Sequence, residues 1–223
     1  MLKICYNIYR KIKRDNKEID NMIKYPNCKE VNCNYDEDVI KFFPVIKCTS
    51  IKQFIKAGVV TVGSKFVVDG RDITCIHHKG NQWFFQYDDC PMASTAESGA
   101  LEKALKKIWN EVIPECLKKE IKYTFVPTEF QIFGENKWGV KETDTYQFDY
   151  YKNNEAHHVK NYRGPKPKHD FWKSGESCGW WLSTVASGPS AYCCLVNTYG
   201  YANYADASSS SGVPVCFLIE VDD

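Results

Sequence analysis

The 223-residue sequence carries almost no net charge: 29 Lys and Arg stand against 28 Asp and Glu, a formal balance of +1. That balance gives no electrostatic argument for nucleic acid or an anionic membrane as a partner. No apolar run approaches the roughly 20 residues of a membrane-spanning helix, so no membrane span is predicted. An export signal is missing too. MLKICYNIYRKIKR breaks its apolar residues with charges and lacks a small-residue cleavage site, so synthesis in the cytoplasm is expected. No nucleophile–base triad, phosphate-cradling glycine loop or paired-carboxylate motif stands out, and no catalytic residue is assigned. The sharpest absence is local. Residues 186–212 contain no Lys, Glu or Trp, and their only formal charge is Asp206.

What is present is ample for a core: 43% apolar and 14% aromatic residues, which excludes global disorder. The 11 cysteines are odd in number and follow no repeated spacing. Without an export signal they read mostly as reduced, buried thiols, though later release in a particle is compatible with that. Cys28 and Cys33 have the spacing to begin a metal site, but nothing nearby completes it, and neither metal nor cofactor is predicted.

Leu2, Cys5, Tyr9 and Ile12 recur at helical spacing and predict a short amphipathic helix; residues 15–38 form a polar leader. One domain is expected from 39 to 223. In it, Lys65–Val68, Asp69-Gly70 and Arg71–Ile76 predict a hairpin, and Lys79-Gly80-Asn81 leads to a third strand at Trp83–Tyr87. His77 and His78, beside that turn, are expected on the surface and on opposite faces. Ser98 is the expected cap of a helix with a Leu101, Leu105 and Ile108 stripe. Pro114 opens a helical turn holding Leu117 and Ile121, Tyr123–Val126 is strand-like, and Thr128 caps a turn of helix stopped by Gly134. Residues 135–178 are loop-rich, and the basic stretch Arg163–His169 and the pair His157-His158 read as solvated surface. Trp180–Leu182 and Tyr192–Val196 are strand-like, Asn197–Gly200 is a turn, Tyr201–Tyr204 a return strand, and Val213–Ile219 one final buried strand. Helices in the middle with antiparallel strands on either side give an α+β fold.

The uncharged stretch between Trp181 and Val213 needs its own account. Tyr offers large rigid contact area at low entropy cost, while Ser, Gly and Asn offer adaptable hydrogen bonds, as in antibody paratopes. The residues expected to bind a ligand are Tyr192, Asn197, Tyr199, Tyr201, Asn203, Tyr204, Asp206 and Ser208. Trp180 and Trp181 are expected to be core. The competing reading is a flexible Ser-rich loop; Ser208–Ser211 suits it, but linkers seldom hold aromatics.

The stretch WWLSTVASGPSAYCCLVNTYGYANYADASSSSGVPVCFLI resembles the C-terminal part of C-type-lectin-like domains encoded by bacteria and their phages. VGSKFVVDG, VPTEFQIFGENKWG and QFDYYKNN are similar to upstream segments of that group. The resemblance covers about residues 58–219. The sequence departs from the group at Ser183-Thr184, where its motif has Arg and Ser, and at Val213-Pro214, which lacks an intervening Arg. The group shares its fold with formylglycine-generating enzymes and with targets of diversity-generating retroelements. In those targets adenine-directed mutagenesis varies a C-terminal hairpin and yields Tyr, Asn, Ser, Asp, Ala and Cys but never Lys, Glu or Trp. The resemblance therefore implies a C-type-lectin-like scaffold presenting a variable surface to a host-cell surface protein or glycan, as an adhesin at a phage tail tip or a diversified protein. It also implies a place in a virion, beside other virion proteins or copies of itself. The calcium-binding signatures of sugar-binding lectins are absent. Two alternatives stay open: a structural virion protein without a ligand, and a thiol oxidase of the formylglycine-generating type using Cys193, Cys194 or Cys216.

Overall fold

The fold, obtained as a computed structural model, describes residues 50–141, 146–152, 179–188 and 191–222. The expected helix at 2–12, the leader with Cys28 and Cys33, the boundary at 38/39, His157-His158 and the basic stretch 163–169 lie outside them.

The first sheet begins with the expected meander. Strand β1 (Lys65–Val68) and β2 (Arg71–Lys79) pair antiparallel with Val68 opposite Arg71. Asp69 and Gly70 between them both have positive φ, 51° and 73°, the geometry a tight two-residue hairpin requires. Strand β3 (Gln82–Tyr87) follows, and the register with β2 shifts between Cys75 and His77. That bulge has a consequence. It turns His77 to the same side as its neighbour Ile76, opposite Phe84, so His77 is buried rather than on the surface. His78 is exposed and stacks on Trp83 at 3.8 Å.

Helix α1 (Ile51–Lys56) is capped by Ser50 and buries Ile51 and Ile55. After the short strand β4 (Met92–Ser94), helix α2 (Ala100–Glu111) buries Ala104 and Ile108, with Leu101, Leu105 and Trp109 packed beside them. Its N-cap is Gly99 at φ 74° with no side-chain bond, not Ser98. The chain enters this helix through a left-handed residue, which puts glycine rather than a hydroxyl at the cap. Helix α3 (Glu115–Lys118) follows Pro114 and stops before Ile121, which opens strand β5 (Ile121–Phe125) instead of closing the helical turn. Helix α4 (Glu129–Phe133) has a full capping box: Thr128 accepts from the Gln131 amide, and the Gln131 side chain accepts from the Thr128 amide. Gly134 ends it. Helix α5 (Asp149–Lys152) interrupts the stretch expected to be loop.

Strands β6 (Trp180–Val185), β7 (Tyr192–Val196), β8 (Ala202–Asp206) and β9 (Ser211–Val213) join β4 in a second sheet, in the order β4-β9-β6-β7-β8. The last strand, β10 (Cys216–Glu220), belongs to the first sheet, in the order β1-β2-β3-β10-β5. Val213–Ile219 is thus two strands, not one. Pro214 has no N–H for a ladder, and at that point the chain leaves one sheet for the other.

Two cores result. Helices α1 and α2 cover one face of the first sheet over Ile73, Phe85, Phe217 and Ile219. The other face, with Ile76, Phe84 and Leu218, packs against Trp180, Leu182, Cys194 and Val196 of the second sheet. The fold is α+β, and among the described residues its strand pairings are antiparallel apart from a parallel contact between β6 and β9. Among the described residues, no helix is long and apolar enough to cross a membrane.

His77 sits in the second core beneath Tyr146 and Phe148, with Nδ1 2.8 Å from Asp149 of α5. Burial holds its imidazole below the usual value against the upward pull of Asp149. Because the unfolded chain then binds the proton more readily, stability falls as pH drops through the free histidine range near about 6.5. Asp149 is held low by Lys152 and His77 against the upward pull of its own burial, and its contribution is lost in the same direction at more acidic pH. Urea titrations between about pH 7 and about pH 5 are expected to show a smaller loss of stability in His77→Gln than in the native protein. Equal losses would place the pH dependence elsewhere.

Candidate functional site

The uncharged stretch forms β7, the turn Asn197–Gly200 and β8, with β8 at the edge of the second sheet. Trp180 and Trp181 at its base are fully buried, and the Trp181 indole N–H donates to the Ser94 carbonyl at 2.9 Å. The turn is organised by Asn197. Its side-chain oxygen accepts from the amides of Tyr199 (2.9 Å) and Tyr201 (3.0 Å), while its own amide donates to the Tyr201 carbonyl. Asn197 is half-buried and holds the turn in shape. Tyr199, Tyr201 and Tyr204 are 72%, 44% and 42% exposed.

The register splits the expected ligand-binding residues between two faces. Tyr192 lies opposite Asp206 and Cys194 opposite Tyr204, so Tyr192, Tyr204 and Asp206 share a face. Asn203, opposite Leu195, is on the other, and Tyr199 and Tyr201 are at the tip. Ser208 follows β8 and bonds the Asp206 carboxylate through both its amide (2.9 Å) and its hydroxyl (2.7 Å). Those bonds hold the Asp206 carboxyl below the usual range.

A residue not picked out from the sequence completes the Tyr204 face. Trp138 packs its ring 5.0 Å from that of Tyr204, which meets Tyr192 edge-on at 5.7 Å. Its indole N–H donates to the Ala202 carbonyl at 3.1 Å, and the Lys137 ammonium lies 5.6 Å from its ring.

The Trp138 loop is seated on Glu129, which is fully buried in α4. The Glu129 carboxylate accepts from the amides of Trp138 (3.1 Å) and Gly139 (2.8 Å), with a longer contact from the Cys194 thiol at 3.8 Å. Burial raises the Glu129 pKa, while these donors and the Lys137 amide pull it down. The Glu129 amide donates in turn to the Thr184 hydroxyl at 2.8 Å. Gly139 is pressed into this cluster: a Cβ there would lie 2.2 Å from Thr184 Cγ2 and 2.8 Å from Glu129 Oε2.

The outer edge of β8 is occupied in a particular way. Asn197 to Tyr201 and Ala207 to Ala191 are backbone bonds that bracket the ladder, so residues 203 and 205 turn their peptide groups toward β7 and residues 202, 204 and 206 turn theirs outward. Three of those outward groups have partners. The Ala202 carbonyl takes the Trp138 indole, the Tyr204 amide donates to Asn203 Oδ1 at 2.9 Å, and the Asp206 carbonyl accepts from the Ser209 amide at 2.9 Å.

The cysteines of the oxidase alternative differ in setting. Cys194 and Cys216 are buried and Cys193 is half-buried, with its thiol toward the Ala96 carbonyl. Burial pushes the Cys193 thiol up and Cys216 much further, which favours the unreactive thiol form. Cys75 and Cys90 are likewise buried, and Cys116 is disulfide-bonded. Among the described residues no group of three or more His, Cys, Asp or Glu is placed to hold a metal ion. No family model, curated protein or solved structure matches this chain.

Proposed function

We propose that this chain is a binding protein that presents its Tyr/Ser/Asn hairpin, with the Trp138 loop, to a cell-surface protein or glycan. The scaffold in this reading is a C-type-lectin-like domain of the bacterial and phage kind, whose C-terminal hairpin is the variable part. It acts as an adhesin at a phage tail tip or as a retroelement-diversified protein, made in the cytoplasm and carried in a virion beside other virion proteins or its own copies. The observation that carries the reading is the set of three exposed tyrosines on an edge hairpin whose backbone and turn are held by other residues. A flexible Ser-rich loop would have neither the paired strands nor the aromatic packing at Tyr204. The central helices and antiparallel sheets agree with the architecture the resemblance implies.

The test begins with binding of the purified protein to intact bacterial cells and to a glycan array. Tyr199→Ala and Tyr201→Ala are then compared with the native protein on whichever target responds. Exposed sites of this kind change stability by only about 0.5 kcal/mol, whereas truncating a binding hot spot costs about 2 kcal/mol, or roughly thirtyfold in affinity. Unchanged affinity in both variants would remove the hairpin from the contact surface. A protein that forms stable assemblies but binds neither target would be a structural component instead.

A further inference from the structure

We infer that Glu129 is a positioning residue for the outer edge of the binding hairpin, acting through Trp138. A fully buried carboxylate is costly unless donors surround it, and here the close donors are the peptide groups of one surface loop, with the Cys194 thiol farther off at 3.8 Å. The Trp138 and Gly139 amides both point at Glu129, which fixes the backbone orientation of Trp138 and aims its indole at β8. The indole N–H then holds the Ala202 carbonyl, and the ring supports Tyr204. The rest of the loop is tied to the end of β6 by the Val140 amide on the Val185 carbonyl and the Ser187 amide on the Trp138 carbonyl. Those bonds locate the loop; the carboxylate sets which way Trp138 faces. Glu129 itself is anchored by the capping box at Thr128 and by Thr184, so a rigid element packed on the buried part of this sheet face, beside Cys194, governs the exposed part of the same face at Tyr204.

The functional weight of this link rests on the binding reading given above: an ordered contact face loses less entropy when it meets its ligand. The link itself needs no ligand, so it is tested separately. Amide exchange is measured by NMR on the full chain in the native protein, Glu129→Gln, Trp138→Ala and the double variant, following Asn203 and Ala205, whose N–H groups face β7. Both single variants are expected to exchange about tenfold faster at these two amides, the scale of one lost hydrogen bond with its ring contact. Phe85 and Phe217 in the first sheet should be unchanged. Glu129→Gln turns one acceptor oxygen into a donor NH2, so one of the two loop amides, Trp138 or Gly139, should also exchange faster, and the double variant should be no faster at Asn203 and Ala205 than Trp138→Ala alone. Additive effects in the double variant, or native exchange at Asn203 and Ala205 in either single variant, would overturn the inference. If Glu129→Gln loses its cooperative unfolding transition, Trp138→Ala still decides, because native exchange there breaks the chain at its second link.

Discussion

Phe217→Ala is expected to cost about 4 kcal/mol, a large part of the roughly 5–15 kcal/mol that holds a domain together. Phe217 is fully buried as the second residue of β10, which lies between β3 and β5. Its ring stacks on Phe85 at 5.5 Å and approaches Tyr87 at 5.9 Å, under the cover of α2. Neighbours on two strands and a helix cannot all move inward at once, so truncation leaves a cavity as well as losing buried area. Urea unfolding followed by circular dichroism measures the loss, and the melting temperature should fall by about 10 °C for a chain of this length. Phe217→Leu keeps most of the volume and is expected to lose about 1.5 kcal/mol or less. If Phe217→Ala loses less than the leucine variant should, the first core does not depend on the return of the C-terminal strand.

Gly139→Ala tests the other end of the molecule and is expected to cost about 3 kcal/mol, the upper part of the range for overpacking. The added methyl would lie 2.2 Å from Thr184 Cγ2. Thr184 is buried and cannot simply rotate away, because its hydroxyl accepts the Glu129 amide. The loop must therefore lift, and lifting it withdraws the Trp138 and Gly139 amides from the carboxylate. Gly188→Ala is the matched control: nothing lies within 4 Å of its added Cβ, and its effect should stay within about 0.5 kcal/mol. Similar losses at the two glycines would show that the Gly139 contact relaxes freely.

Local chemistry was readable from the residues. The Asp69-Gly70 turn, the Thr128 cap with its Gly134 stop, and the Asn197–Gly200 turn fall where the sequence puts them, because each depends on three or four adjacent side chains. The α+β class follows from the same local elements. Reading fails where a partner is remote or where one residue changes the count. The bulge at Ile76 reverses the face of His77, and alternation alone cannot foresee it. At Pro214 an unbroken apolar run spans two sheets, since hydrophobicity says that a strand is buried but not in which layer. The attachment of the Glu129–Trp138 pair to β7 and β8 is the clearest case. Trp138 meets Ala202 across 64 positions and Glu129 meets Cys194 across 65, so no window of sequence contains both ends. A glutamate at the start of a helix ordinarily reads as a favourable charge beside the helix dipole, and nothing local says that it will be buried.

The plugged edge of β8 bears on how such a protein behaves when crowded. An exposed edge strand such as β8, Ala-Asn-Tyr-Ala-Asp with no charge before Asp206, offers a template for pairing with other copies. With an indole, an asparagine side chain and a serine amide already on its outward groups, neighbouring copies have little ladder to extend. On the binding reading proposed above, side chains of the hairpin other than Asn203 can change without opening this edge, because the Trp138 indole and the Ser209 amide that cover it lie outside the strand.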